Sequence, residues 1–375
     1  MSFSLRDHLF NPDTVGQLAA WISAAHRPFD AEQFVSAVID PFPELSLKER
    51  IAHIAQVLHS HLPDRYEEAL AIIVGALPPE LDPALSDDDF GDYIIAPLSH
   101  FVATYGCEEQ YRDISLDALR AITKRFSAED AIRFFINAFP DETFTFLMQC
   151  AEDDNYHVRR LASEGSRPKL PWSSKLAVDH TWPLPILDKL YSDSTRYVTR
   201  SVANHVNDLN KIDADLAVST LKQWQGEGGQ ETGEMAFLTR HGLRTLVKQG
   251  SKPALTLLGY GEAPKVEIIN LVCTTPEVTL GEALHFSFDL VGGKNQALLI
   301  DYRMHFARPD DRPSAKVFKL KQLEITKGER ITITKRHPMR VMTTRRLYRG
   351  EHRVAIQING TVVAEFAFTL VDGSG

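Results

Sequence analysis

Four stretches of the chain, SLDALRAITK, NYHVRRLASEG, TRYVTRSVANHVND and TRHGLRTLVKQG, align on Arg120, Arg160, Arg200 and Arg244, at spacings of 40, 40 and 44 residues. A repeat of that length describes a pair of helices that cannot bury its apolar face alone and must stack on its neighbours. On a helix, Val158, Leu161, Ala162 and Gly165 fall on one face, with Arg160 and Glu164 one turn apart on the other. In the next unit Val198, Val202 and Leu209 mark the buried side, and Arg200, Asn204 and Asp208 the opposite one. The spacing predicts a helical solenoid that sets its arginines in a row, a surface suited to a phosphate backbone. A structural use of the row, each arginine pairing with an acid of the next repeat, fits the same spacing.

Helical periodicity runs from the N-terminus to about residue 260. In LSLKERIAHIAQVLHSHL the apolar residues Ile51, Ile54, Ala55 and Leu58 share a face. Ser127 before AEDAIRFFINAF, with Asp130 three residues on, reads as a variant capping box, and Pro140 as the end of that helix. QGEGGQETGE, residues 225–234, reads as a long polar loop. After Pro264 the period becomes two. KVEIINLVCTTPEVTL, ALHFSFDLVGG, ALLIDYRMHFA, KVFKLKQLEI, RITITKRH, HRVAIQING and VVAEFAFTLV read as seven or eight strands, with Gly292-Gly293 and Asn359-Gly360 as hairpin signals. The expected fold class is therefore multidomain α plus β. A helical-repeat solenoid, residues 1–263, precedes an antiparallel, immunoglobulin-like β-sandwich, residues 264–375.

The net charge of −9 is unevenly divided. From Pro264 onward 17 Lys and Arg face 12 Asp and Glu, which leaves 24 against 38 in the first 263 residues. KRHPMRVMTTRRLYRG, with Lys335, Arg336, Arg340, Arg345, Arg346 and Arg349, concentrates the excess and offers a basic loop to nucleic acid; a solvated strand face is the plainer use. Cys107, Cys150 and Cys273 are far apart and form no CxxC pair, against a disulfide framework or zinc site. No signal-peptide core and no membrane-length apolar run is present, so a cytoplasmic, monomeric protein without membrane association is expected.

At the position four residues after each aligned arginine stand Lys124, Glu164, Asn204 and Lys248, so Glu164 is the only acid there. VRRLASEGSRPKLPW and RYVTRSVANHVNDLNK resemble the signature repeats of the AlkC group of bacterial DNA glycosylases, HEAT-like repeat proteins related to AlkD. The N-terminal LFNPDTVGQLAAWISAAHRPFD and ERIAHIAQVLHSHLP are similar too, and some members carry a C-terminal immunoglobulin-like domain. The resemblance implies excision of cationic alkylated bases, chiefly 3-methyladenine and 3-methylcytosine, from double-stranded DNA without base flipping, with no cofactor and no metal. It carries catalytic roles onto Glu164 and Glu129 and a lesion contact onto Trp172. Glu129 also reads as a solvated first-turn acid, and Trp172 as a loop-packing residue. Asp208 is a third catalytic candidate, with local backbone capping as its rival role. Arg159, Arg160, Arg167, Lys169, Arg200, Arg244, Arg340, Arg345 and Arg346 are the candidate DNA contacts. A non-catalytic helical-repeat scaffold that binds nucleic acid or protein is the competing reading, and it gives Glu164 no task.

Overall fold

The computed structural model of the chain describes residues 4–85, 90–261, 263–308, 314–340 and 346–372. Arg345 lies outside the described residues. The helical part comprises α1 (Leu5–Leu9), α2 (Pro12–Ala25), α3 (Ala31–Ile39), α4 (Leu47–His61), α5 (Tyr66–Gly75), α6 (Ala96–Tyr105), α7 (Arg112–Thr123) and α8 (Ile132–Ala138). It continues with α9 (Pro140–Cys150), α10 (Tyr156–Gly165), α11 (Leu184–Leu190), α12 (Arg196–Leu209), α13 (Ala214–Glu227), α14 (Thr232–Gly242), α15 (Arg244–Gln249) and α16 (Lys252–Leu257). The strands are β1 (Val266–Cys273), β2 (Glu277–Thr279), β3 (Ala283–Gly292), β4 (Gln296–His305), β5 (Ala315–Ile325), β6 (Arg330–Pro338), β7 (Gly350–Ile358) and β8 (Thr361–Val371). Two compact units result: Met1–Asp213 with Gln223–Gly242, and Ala214–Lys222 with Leu243–Gly375. No helix among the described residues is long and apolar enough to cross a membrane.

In the first unit alternate helices stack, α10 on α12 and α12 on α14. Val158, Leu161, Ala162, Val198, Val202 and Leu209 have no exposed surface, as the repeat requires. Each buried Val or Leu contributes roughly 1.5–3 kcal/mol to holding the layers together. The polar side departs from expectation, because Glu164 and Asp208 are buried as well. Three boundaries also differ. The turn over residues 129–131 delays α8 to Ile132, and Ser127 donates to the Glu129 carboxylate (2.8 Å) instead of capping the helix. Pro140 opens α9, where its missing N–H costs nothing. The polar 225–234 stretch is mostly helical, divided between α13 and α14.

The repeats are tied by ion pairs. Arg120 Nε donates to Asp153 (2.6 Å), Arg159 Nε to Asp193 (2.5 Å) and Arg196 Nε to Glu234 (2.8 Å). Asp153 and Asp193 also accept the backbone N–H two residues on, from Asn155 and Thr195, at the entrances of α10 and α12. At α10 and α12 one aspartate thus shapes the helix start and receives an arginine from the repeat before it, while at α14 it is Glu234 that receives the arginine. The arginine row is in large part this scaffold, and its members are Arg120, Arg159 and Arg196; Arg160 points elsewhere.

In the second unit β1-β3-β6 form one sheet and β2-β8-β7-β4-β5 the other. Phe286, Phe288 and Ile333 of the first and Ile300, Tyr302, Val354, Ile356 and Phe368 of the second make a single core. All pairings are antiparallel except β2 with β8. Asn359 and Gly360, at φ 48° and 75°, turn β7 into β8, as a two-residue hairpin demands. Residues of α15 and α16 belong to this unit, where Leu255 and Tyr260 cluster with Leu299 of β4. Arg244, at the start of α15, therefore lies in the second unit and not in the helical stack.

Candidate active site

A cleft of about 770 Å³ opens in the first unit, with Glu129, Asp130, Arg160, Trp172, Tyr93 and Tyr197 on its walls. Glu129 comes from the turn before α8, Arg160 from the middle of α10, Tyr197 from the first turn of α12, and Trp172 from the long connection after α10. The repeat spacing is what brings α10 and α12 side by side, so that residues 37 apart in sequence share one wall.

The Glu129 carboxylate accepts from Arg160 Nη1 (2.8 Å) and from Ser127 Oγ, and about 29% of its side chain stays exposed. The Arg160 guanidinium lies over the Tyr197 ring, 4.6 Å from its centroid, and its Nη2 is 3.7 Å from Glu164. Behind it, Glu164 accepts from Arg167 Nη1 (2.5 Å) and Ser201 Oγ (2.6 Å). Arg167 also donates through Nε to Asp208 (2.9 Å). The result is an alternating file, Asp208–Arg167–Glu164–Arg160–Glu129, running from the interior to the cleft. Burial opposes the charge on Glu164, but Arg160 and Arg167 outweigh it and hold its pKa below the usual carboxylate value. Burial likewise disfavours the Arg160 cation, and Glu129 and Glu164 more than restore it. Lys211 Nζ, 3.6 Å from Asp208, balances the inner end of the file, and Glu129 is the member that reaches the cleft.

The file corrects part of the sequence reading. Of the three catalytic candidates only Glu129 lines the cleft; Glu164 and Asp208 are 5% and 2% exposed and sealed behind arginines. Arg159 and Arg167, expected on phosphates, are spent on Asp193 and on the Glu164–Asp208 bridge. Arg160 is spent on Glu129. A guanidinium saturated by carboxylates in a low-dielectric interior has no reason to leave for a hydrated phosphate. Lys169 is exposed and Arg200 half-buried on α12. Trp172 is 76% exposed at φ 69°, and its carbonyl accepts from Lys48 Nζ of α4.

Tyr93 and Tyr197 escaped the sequence reading, which took Asp130 only for a capping residue. Asp130 follows Glu129 directly and is exposed in the same cleft. Burial raises the Tyr93 phenol, and the Glu129 and Asp130 charges push it further the same way. Tyr197 sits three residues before Arg200, and only the stacking of α12 on α10 shows what it covers. In the second unit, Arg340 lines a basic cleft of about 620 Å³ with Lys316, Lys319, Lys335 and Arg336, beside the stacked pair Tyr302 and Phe318. Burial, with Lys335 and Lys316 near it, pushes His337 there down to about 4. Arg346 is exposed, its guanidinium 5.4 Å from the Tyr348 ring.

Residues 267–372 match the family model described as uncharacterised protein YhaZ, C-terminal Ig-like domain. Uncharacterized protein YhaZ of Bacillus subtilis (strain 168) is 33% identical over 358 residues, 94% of this chain and 96% of that protein. The solved structure of Pseudomonas fluorescens alkylpurine DNA glycosylase AlkC, bound to DNA containing an abasic site analog, is 35% identical and superposes with a TM-score of 0.87. The match covers 98% of this chain and 100% of that one. The chain belongs to the AlkC family. It is the AlkC form that carries an immunoglobulin-like domain after its helical repeats. Of the residues to which the resemblance gives a catalytic or lesion-contacting role, Glu129 and Trp172 line the cleft of this AlkC-family chain.

Proposed function

We propose that the chain is a monofunctional DNA glycosylase of base excision repair. Its substrates are cationic alkylated bases, 3-methyladenine and 3-methylcytosine, in duplex DNA, and it attacks them without drawing the base into an enclosed pocket. The observation that carries this reading is the meeting of a partly exposed carboxylate held by Arg160, Glu129, with one exposed indole, Trp172, in an open cleft. The similarity to an alkylpurine DNA glycosylase over nearly the whole chain supports the same class of reaction.

A base alkylated at N3 already carries a positive charge. When the C1′–N bond breaks, its electron pair neutralises the departing base, so no proton need be supplied. The sugar is left as an oxocarbenium-like cation. Glu129 stabilises that cation and orients a water; the water oxygen bonds to C1′, its proton passes to the carboxylate, and an abasic site results. The indole of Trp172 offers its π-face to the cationic nucleotide. Arg160 holds Glu129 in place, and Glu164 holds Arg160. Asp208 does the same for Arg167. Lys169 and Arg200 of the first unit, and Arg244, Arg340 and Arg346 of the second, are the proposed phosphate contacts. Asp130 adds negative charge to the same wall.

The test is incubation with duplex DNA carrying 3-methyladenine, with free base and abasic sites both measured. Release above the spontaneous rate, abolished in Glu129→Gln, is expected. DNA binding without release would overturn the reading and leave a scaffold.

A further inference from the structure

Between Gly165, the last residue of α10, and Leu184, the first of α11, the chain has no helix or strand. Trp172 projects from this connection with three-quarters of its side chain in solvent. An exposed indole has few neighbours to fix its direction, so the backbone beneath it must. That backbone is itself unusual, since φ of 69° places a bulky residue in the left-handed region. Something has to over-determine it.

Lys48 Nζ holds the Trp172 carbonyl directly, and Arg133 of α8 holds the loop on either side of it. Arg133 is 1% exposed, among the largest fully buried side chains of the described residues, and takes part in none of their salt bridges. Its guanidinium is given over to backbone carbonyls. Nη1 donates to Gly165 O (2.8 Å) and Arg167 O (2.8 Å), and Nε donates to Ser174 O (2.7 Å). The acceptors lie on both sides of Trp172, so one planar group closes the loop that carries it. Burial lowers the Arg133 pKa to about 10, which still leaves it charged at neutral pH. One turn further along α8, Asn137 donates to Lys175 O (2.9 Å) and accepts from Ala177 N–H (2.8 Å). A lysine has no fork with which to reach carbonyls in two directions.

We propose that Arg133 and Asn137 are positioning residues that staple the Trp172 loop and so present the indole to the DNA in one fixed orientation. The idea rests on the glycosylase reading for its catalytic consequence, but the staple itself concerns only how Trp172 meets DNA. Neither residue lines the cleft, so their effect passes through the loop that carries Trp172.

A double-mutant cycle separates this from plain destabilisation. Arg133→Lys and Asn137→Ala are each made in the full chain and in a Trp172→Ala background. Two quantities are measured: single-turnover release of 3-methyladenine, and affinity for a duplex containing an abasic-site analogue. With Trp172 present, Arg133→Lys is expected to lower release at least tenfold and Asn137→Ala several-fold, with weaker binding. In the Trp172→Ala background both changes should be within twofold of no effect. Equal fold losses in the two backgrounds would overturn the proposal. If the unmodified protein releases no base, the glycosylase reading fails, and the affinity cycle alone decides whether the staple stands. Asn137 is exposed, so Asn137→Ala carries the test if Arg133→Lys does not fold.

Discussion

Replacing Glu129 and Glu164 separately with Gln should split catalysis from stability. Glu129 sits at the mouth of the charge file with about 29% of its side chain exposed, and since Arg160 and Ser127 both donate to its Oε2, a Gln oxygen can keep both partners and only the charge is lost. The expected loss of stability is about 1 kcal/mol. The loss of activity is larger. A carboxylate ~4 Å from a developing sugar cation, at an effective dielectric of ~20, contributes about 4 kcal/mol, or on the order of a thousandfold in rate. Glu164 has the opposite balance. Its carboxylate is buried against Arg167 at 2.5 Å and Ser201 at 2.6 Å, with Arg160 at 3.7 Å. A neutral amide there aims N–H donors at donors and leaves cations uncompensated, a loss of roughly 3–5 kcal/mol. At ~2–4 °C per kcal/mol for a unit of this size, that is a melting-point drop of about 6–20 °C. Calorimetry and single-turnover base release on the same two preparations measure both effects. A Glu129→Gln protein that keeps activity within tenfold, beside an inactive but undiminished melting point in Glu164→Gln, would refute the assignment and make the buried acid the chemical one.

Four further outcomes are expected. His205 is fully buried and pushed down to about 3, mainly by burial, so the unfolded chain takes up a proton there first as pH falls below 6.5; stability should decline from pH 6.5 toward pH 4, with a shallower slope in His205→Gln by thermal melts. Asp193→Ala removes the acceptor of both Arg159 and the Thr195 N–H, and should cost ~3 kcal/mol in denaturant titration. In Gly360→Ala a β-carbon would stand 2.7 Å from the Gly250 Cα at a positive φ, and a loss of about 1–3 kcal/mol confined to the second unit's unfolding transition is predicted. Lys335→Glu with Arg340→Glu should weaken binding to undamaged and alkylated duplex alike and flatten its salt dependence, as fluorescence anisotropy at several salt concentrations would report.

How much of this was legible beforehand can be argued from single residues. Val158 and Val202 are in the core because helical spacing leaves them no other place, and the β7–β8 hairpin turns at Asn359-Gly360 because few other pairs tolerate two positive φ values. Glu129 and Trp172, given their roles by the resemblance, line one cleft. The arginines misled. Arg120, Arg160 and Arg200 align in sequence, yet pairing follows Arg120, Arg159 and Arg196, since a guanidinium reaches whichever carboxylate the neighbouring helix brings within range. Ser127 looked like a cap and is instead a ligand of Glu129, because the local turn delays the helix.

The sequence by itself determined the architecture, since hydrophobic period, turn residues and repeat length are local properties that survive without a fold. It also supplied the acids and the indole. Only the tertiary structure decided which acid meets solvent. Glu164 and Glu129 are both glutamates near arginines in one dimension, but the stacking of α12 on α10 buries the first behind Arg160 and leaves the second at the cleft. The guanidiniums beside Glu164 are three and four residues away, but what buries it and what draws Arg160 to Glu129 and Arg167 to Asp208 are contacts between residues 31 to 41 apart, which exist only once the helices have packed.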